Sequence, residues 1–124
     1  MKNKVKIAVV GIGLMGTQHL KAIELSQRAL LHSIIDINKN SYLYARKYKV
    51  PFYTSSSAIL KDNKPDAVII ATPNQFHEKY TSAFLRAKIP VLLEKPISDN
   101  IISAKKIINN SKKNKTHLLI GYHR

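Results

Sequence analysis

The apolar positions of this chain fall into short continuous runs that alternate with stretches of helical spacing. Residues 5–10 form an almost unbroken apolar run that stops at Gly11. Such runs, rich in β-branched residues, suit strands buried on both faces, as in a parallel sheet covered by helices. Residues 17–27 follow with Leu20, Ala22 and Ile23 at helical spacing, and 29–35 read as a second strand ending at Asp36. A short helix over 38–48 puts Tyr44, Ala45 and Tyr48 on one side, 52–54 give a brief strand, and three serines open a helix over 55–61. The alternation then repeats. Strands are expected at 66–71, 90–93 and 116–122, and a helix over 76–87 turns Tyr80, Ala83, Phe84 and Ala87 inward. A last helix, capped by Ser98 or Asp99 and running to about Ser111, carries Ile101, Ala104, Ile107 and Ile108 as its stripe. Strands alternating with helices at this spacing predict βαβ units. The fold class is therefore α/β, a Rossmann doubly wound parallel sheet of about six strands in the order 3-2-1-4-5-6. It spans residues 1–124 as one domain, with no repeat, linker or low-complexity segment.

Three of the four glycines lie in Gly11-Ile12-Gly13-Leu14-Met15-Gly16, between the first strand and the first helix. There Gly11 permits a tight turn, Gly13 lets a pyrophosphate approach the backbone, and Gly16 allows close packing of helix on strand. The free N–H groups and partial positive charge of the helix N-terminus would receive the phosphates. Glycines also mark ordinary tight turns, so the motif gains from Asp36, which ends the second strand 20 residues beyond Gly16. A carboxylate at that place accepts hydrogen bonds from the adenosine ribose and repels a 2′-phosphate, which points to NAD with NADP as the alternative. The competing reading of Asp36 is a solvated cap on the next helix, and Asn38 and Lys39 soften the NAD preference. Ala71-Thr72-Pro73-Asn74 and His77 follow the fourth strand at the rim where ligands bind such sheets. Residue by residue, Pro73 and Asn74 also fit a helix start and His77 its first turn. Glu94-Lys95-Pro96 leaves the buried Leu92-Leu93 strand as a charged pair, and is a candidate for the same rim.

Together these segments resemble one family. Residues 11–19, Asp36, Ala71-Thr72-Pro73-Asn74-x-x-His77, Glu94-Lys95-Pro96 and Gly121-Tyr122-His123-Arg124 occur in the order and spacing of the glucose–fructose oxidoreductase, inositol dehydrogenase and rhizopine catabolism (Gfo/Idh/MocA) proteins. The resemblance covers essentially the whole chain. It implies an NAD(P)-dependent oxidoreductase acting on sugars, cyclitols or nucleotide-sugars. By that resemblance Lys95 lies beside the nicotinamide and the substrate hydroxyl and assists proton transfer, and Glu94 contacts the nicotinamide ribose region. Asn74 and His77 shape the cofactor pocket, and Arg124 lies close to the nicotinamide. The family's remaining catalytic residues belong to a C-terminal substrate domain that this chain does not contain. Two accounts of the length follow: a piece of a longer enzyme, favoured by an end within the Gly-Tyr-His-Arg segment, or a stand-alone module that binds cofactor without catalysis. Either way the expectation for residues 1–124 alone is cofactor binding without turnover.

Composition narrows the alternatives. With 44% hydrophobic and 23% charged residues, the chain has the balance of a folded globular domain. The absence of Cys excludes disulfides, thiolate metal sites and Cys nucleophiles. No apolar run reaches the roughly 18 residues of a membrane span and no signal sequence is read, so a cytoplasmic protein without membrane contact is expected. The net charge of +14 raises the question of nucleic acid. Its source is 17 Lys against 4 Arg, spread along the chain, with Lys105, Lys106, Lys112, Lys113 and Lys115 the one patch-like group. Arg, the residue suited to forked phosphate and base contacts, is scarce. A solvated surface without specific nucleic-acid binding is therefore expected. An exposed apolar surface over residues 118–122 is expected to drive homo-oligomerisation.

Overall fold

The computed structural model describes residues 4–95 and 97–121. Among these, the strands are β1 (Val5–Val10), β2 (Ala29–Ile35), β3 (Phe52–Tyr53), β4 (Ala67–Ile70), β5 (Val91–Glu94) and β6 (Leu118–Gly121). The helices are α1 (Leu14–Leu25), α2 (Tyr42–Tyr48), α3 (Ser56–Asp62), α4 (His77–Arg86) and α5 (Ile101–Asn114). The strands form one parallel sheet in the order β3-β2-β1-β4-β5-β6, the expected doubly wound arrangement. The strand order reverses between β1 and β4.

Side chains alternate across each strand, and both faces are buried. On one face Leu20 and Ile23 of α1 and Ala45 of α2 pack over Val9, Ile34 and Ile69. On the other, Ile59 of α3, Phe84 and Leu85 of α4 and Ile107 of α5 cover Val10, Ile35, Ile70 and Leu93. Neighbouring residues such as Val9 and Val10 thus serve opposite cores, which is why the strands read as unbroken apolar runs. Burial rises along the strands. Val5 is 46% exposed and Leu30 47%, whereas Val10 and Ile35 are fully enclosed. The carboxyl ends are therefore the rigid part of the sheet, and the loops leaving them start from fixed points.

The elements differ from the sequence pattern in four instructive places. First, α1 begins at Leu14 rather than 17, because Gly13 in an extended conformation is its N-cap. That start makes Gly16, Leu20 and Ile23 the buried line and turns Ala22 outward. Second, Tyr44 keeps 36% of its surface exposed, while Ala45 is buried and Tyr48 packs on the core. Third, α5 is capped by Asn100, not Ser98 or Asp99; the Asn100 side chain accepts a hydrogen bond from the Ser103 N–H at 2.8 Å. Of its expected stripe only Ile107 is buried, with Ile101 73% exposed, because α5 packs mainly against α4. Fourth, residues 118–122 do not form a uniformly exposed surface. Leu118 and Ile120 pack on the core beneath α4 and α5, and Leu119 alone is open at 65%. Tyr122 lies outside the described residues.

Helix and first strand meet at two glycines. Gly11 has φ +91°, a left-handed conformation that L side chains rarely adopt. A Cβ on Gly16 would stand 2.0 Å from the Gly11 carbonyl oxygen, so only hydrogen fits. Gly16→Ala is accordingly expected to lower stability by about 3 kcal/mol, since backbone must move to admit the methyl group. Gly13→Ala, whose Cβ meets nothing within 4 Å, is expected to cost no more than about 1 kcal/mol as a poorer cap. Urea unfolding of the two variants checks the contrast.

Candidate functional site

A cleft of about 230 Å³ opens at the carboxyl ends of β1 and β4, where the strand order reverses. Ligands bind open α/β sheets at such switch points. One wall is the β1–α1 turn, with Gly11, Ile12 and Gly13; the opposite wall is Ala71, Thr72 and Pro73 after β4. Asp36, Ile37 and Asn38 after β2 close one end. Phe76 and Tyr80 line it from the start of α4.

The turn is held open from below. Gly11 N–H donates to the Ile35 carbonyl at 2.8 Å, and Ala71 N–H to that of Val10 at 2.8 Å, fastening both walls to the sheet. Gly13 is exposed, and no atom lies within 4 Å of where its Cβ would stand. That space is what a phosphate brought against the backbone requires. As N-cap, Gly13 offers no side chain to the first amides of α1, which face the cleft side with the helix's partial positive charge.

Asp36 is the organising carboxylate. Its Oδ2 accepts hydrogen bonds from the Ile12 N–H at 3.0 Å and the Ser41 hydroxyl at 2.7 Å, and its Oδ1 accepts one from the Asn38 N–H at 3.1 Å. A carboxylate has about four acceptor positions. Oδ1 therefore keeps capacity for one more donor. Asp36 is not the cap of the following helix, a place taken by Asn38 and Ser41; it braces the loop before α2 and lines the cleft with an acceptor. Tyr80 faces the same end. Burial, and then the Asp36 charge, push its hydroxyl above the ordinary tyrosine range, so it remains a neutral hydrogen-bonding group.

The other expected residues fall around this cleft rather than in it. Leu14, Met15 and Gly16 form the first turn of α1; Leu14 is 79% exposed and Gly16 is buried under the turn. Asn74 opens a single 3₁₀ turn (Asn74–Phe76) ahead of α4. His77 is 1% exposed and lies beneath the cleft, not on its surface. Its Nε2 is 2.8 Å from the Thr72 carbonyl and its Nδ1 3.2 Å from that of Ile97, so the ring sits between the loops after β4 and β5 and donates to one of them when neutral. Glu94, at the end of β5, is 7% exposed and receives His19 Nε2 at 2.6 Å. Exposed Lys95 leads into a separate hollow of about 500 Å³ beside the start of α5, lined also by Ser98, Asn100 and Ile120. The described residues thus bring together Gly11, Ile12, Gly13, Asp36, Ala71, Thr72 and Pro73, and set Glu94 and Lys95 apart from them. Pro96 and Arg124 lie outside the described residues.

Sequence reasoning missed Phe76 and Tyr80 as cleft residues. Tyr80 sits in the stripe of α4 that also makes core contacts, and an aromatic ring with a polar tip serves both. His19 was also missed as a partner of Glu94; its distance of 75 residues left no local signal.

Residues 5–122 match the family GFO_IDH_MocA, described as an oxidoreductase family with an NAD-binding Rossmann fold. The chain belongs to this family. Myo-inositol 2-dehydrogenase of Thermotoga maritima is 29% identical over 122 residues, which are 96% of this chain and 36% of that protein. Among solved structures, an NAD-binding protein from Listeria innocua superposes with a TM-score of 0.84 at 30% identity, covering 95% of this chain and 35% of the other. GenD2 from gentamicin A biosynthesis, solved in complex with NAD, gives a TM-score of 0.88 at 25% identity over 98% of this chain and 35% of its own. This chain therefore spans little more than a third of the relatives it matches. The GFO_IDH_MocA assignment, together with the 3-2-1-4-5-6 sheet, identifies an NAD-binding oxidoreductase domain. Among the described residues no helix is long and apolar enough to cross a membrane.

Replacing His77 by Phe keeps a ring but removes the N–H that a neutral imidazole donates to one of the two loop carbonyls, and the cost is expected at about 2 kcal/mol. Thermal and urea unfolding measure it.

Proposed function

We propose that residues 1–124 bind NAD across the switch-point cleft and serve the oxidation or reduction of a hydroxyl on a sugar, cyclitol or nucleotide-sugar. The observation that carries this reading is the pairing of the empty space over Gly13, at the uncapped start of α1, with the Asp36 carboxylate at the far end of one cleft. An anionic pyrophosphate suits the first and a ribose hydroxyl the second. Ala71, Thr72 and Pro73 form the facing wall, Asn74 and His77 fix the loop that carries it, and Glu94 contacts the nicotinamide nucleoside. When bound, the nicotinamide takes up or returns a hydride. Lys95 then holds or moves the proton of the reacting hydroxyl at its Nζ. Among the described residues no wall of its open hollow encloses a sugar, and residues 1–124 alone hold cofactor with little or no turnover. The cyclitol and sugar substrate class is supported by the dehydrogenases to which the chain is similar.

The surface adds two parts to the proposal. The α5 lysines Lys105, Lys106, Lys112, Lys113 and Lys115 are all exposed on a helix with one buried residue, which fits a solvated face and no specific nucleic acid. On the opposite side of the sheet, Leu119 stands beside Ile7, Ile69 and Leu92 in an apolar hollow of about 160 Å³ that α1 and α2 do not cover. Copies of the chain associate through this face.

Titration of the folded chain with NADH, followed by anisotropy of the reduced cofactor, tests the binding. Saturable binding is expected, and none at millimolar cofactor would refute the reading. Asp36→Ala is expected to weaken NAD about tenfold, the worth of one charge-assisted hydrogen bond, and NADP less. Leu119→Lys is expected to shift light-scattering mass at high concentration towards the monomer; an unchanged association would place the contact elsewhere.

A further inference from the structure

Glu94 carries an unmet demand. The side chain is 9% exposed, and Oε1 receives His19 Nε2 at 2.6 Å, while Oε2 is buried with no hydrogen-bond partner among the described residues. A buried carboxylate with one donor is costly, and a hydrogen-bonded ligand group relieves that cost. The carboxylate lies flat against Gly121 of the neighbouring strand. A Cβ there would stand 3.4 Å from Oε2 and 3.6 Å from both Oε1 and the carboxyl carbon, so glycine leaves the group room. His19 reaches it from the second turn of α1, the helix whose first turn borders the switch-point cleft.

We propose that His19 is a positioning residue for cofactor binding: by donating Nε2–H to Oε1 it fixes the Glu94 carboxylate with Oε2 turned to accept a donor from the nicotinamide nucleoside. This rests on the dinucleotide reading of the cleft. A short N–H···O⁻ bond in a buried setting holds a carboxylate rotamer that would otherwise sample several. Because His19 and Gly16 share α1, the same rigid helix that presents amides to the pyrophosphate also sets the acceptor for the second nucleoside. The two halves of the ligand are then read by one body rather than by two independent loops.

The experiment compares NADH with ADP, which has the adenosine half but no nicotinamide nucleoside. His19→Ala is expected to weaken NADH about tenfold and ADP by less than about twofold, since one charge-assisted contact is lost from one half of the ligand. His19→Gln, whose side-chain amide can donate from a place close to the imidazole Nε2, is expected to bind NADH within about threefold of the unaltered chain. Glu94→Gln is expected to weaken NADH alone, and adding His19→Ala to it to cost nothing more, because His19 acts through Glu94. Unchanged NADH affinity in His19→Ala, equal loss of NADH and ADP, or additive losses in the double variant would each overturn the proposal. An unaltered chain that binds neither ligand would instead overturn the cofactor reading itself, so the two failures are told apart. Retained ADP binding also reports that each variant is folded.

Discussion

The contact between Gly16 and the Gly11 carbonyl is the constraint on which the rest of this domain depends. No side chain separates α1 from the turn that precedes it, since a methyl group would stand 2.0 Å from a backbone oxygen. The helix therefore rests flush on the end of β1. Its first amides emerge beside the switch point, its buried line of Leu20 and Ile23 drops onto Val9 and Ile34, and His19 comes within reach of β5. If α1 stood off by the width of a methyl group, each of these placements would change together.

A flush helix is useful only over a sheet that does not move. Burial increases towards the carboxyl ends of β1 and β2, so the residues that launch the site loops are the ones packed on both faces. Asp36 extends that rigidity by a side chain. Its carboxylate joins the glycine turn to the start of α2 through Ile12 and Ser41, and would lose that shape if it merely capped a helix. His77 sits below the opposite wall, between the loops after β4 and β5. Polar side chains thus tie the loops at the carboxyl ends to one another and to the sheet.

Much of this was legible in the sequence. Strand runs, the glycine turn and Asp36 follow from patterns local to a few residues, and the 3-2-1-4-5-6 order follows from the handed βαβ alternation along the whole chain. What was not legible involves pairing at long range or helix ends. With three of four glycines committed to one turn, α2 and α5 end on Lys49 and Lys115 in left-handed conformations, and nothing in a lysine announces that role. Ile101 and Ile108 keep helical spacing but face outward, because spacing defines a face without saying how much of the helix meets the sheet. His77 looked like a first-turn surface residue and is instead enclosed, since its partners are carbonyls of loops that only the fold brings together. His19 is the same case, with its partner 75 residues away.

These long-range pairs leave the site with two opposite deficits. At the start of α1 there are amide donors and no capping side chain; at the end of β5 a buried carboxylate oxygen has no donor among the described residues. Neither deficit is relieved by the other, because the protein that separates them is packed. A ligand with an anion at its middle and hydroxyl donors at its ends relieves both, and takes a third contact at Asp36. Each unmet group lowers the stability of the empty fold and raises the affinity for such a ligand by a corresponding amount, since groups already held in place lose no freedom on binding. In the proposed reading the two ties that keep these groups in place, Asp36 on the turn and His19 on Glu94, take part in recognition by holding the acceptors that the ligand would meet.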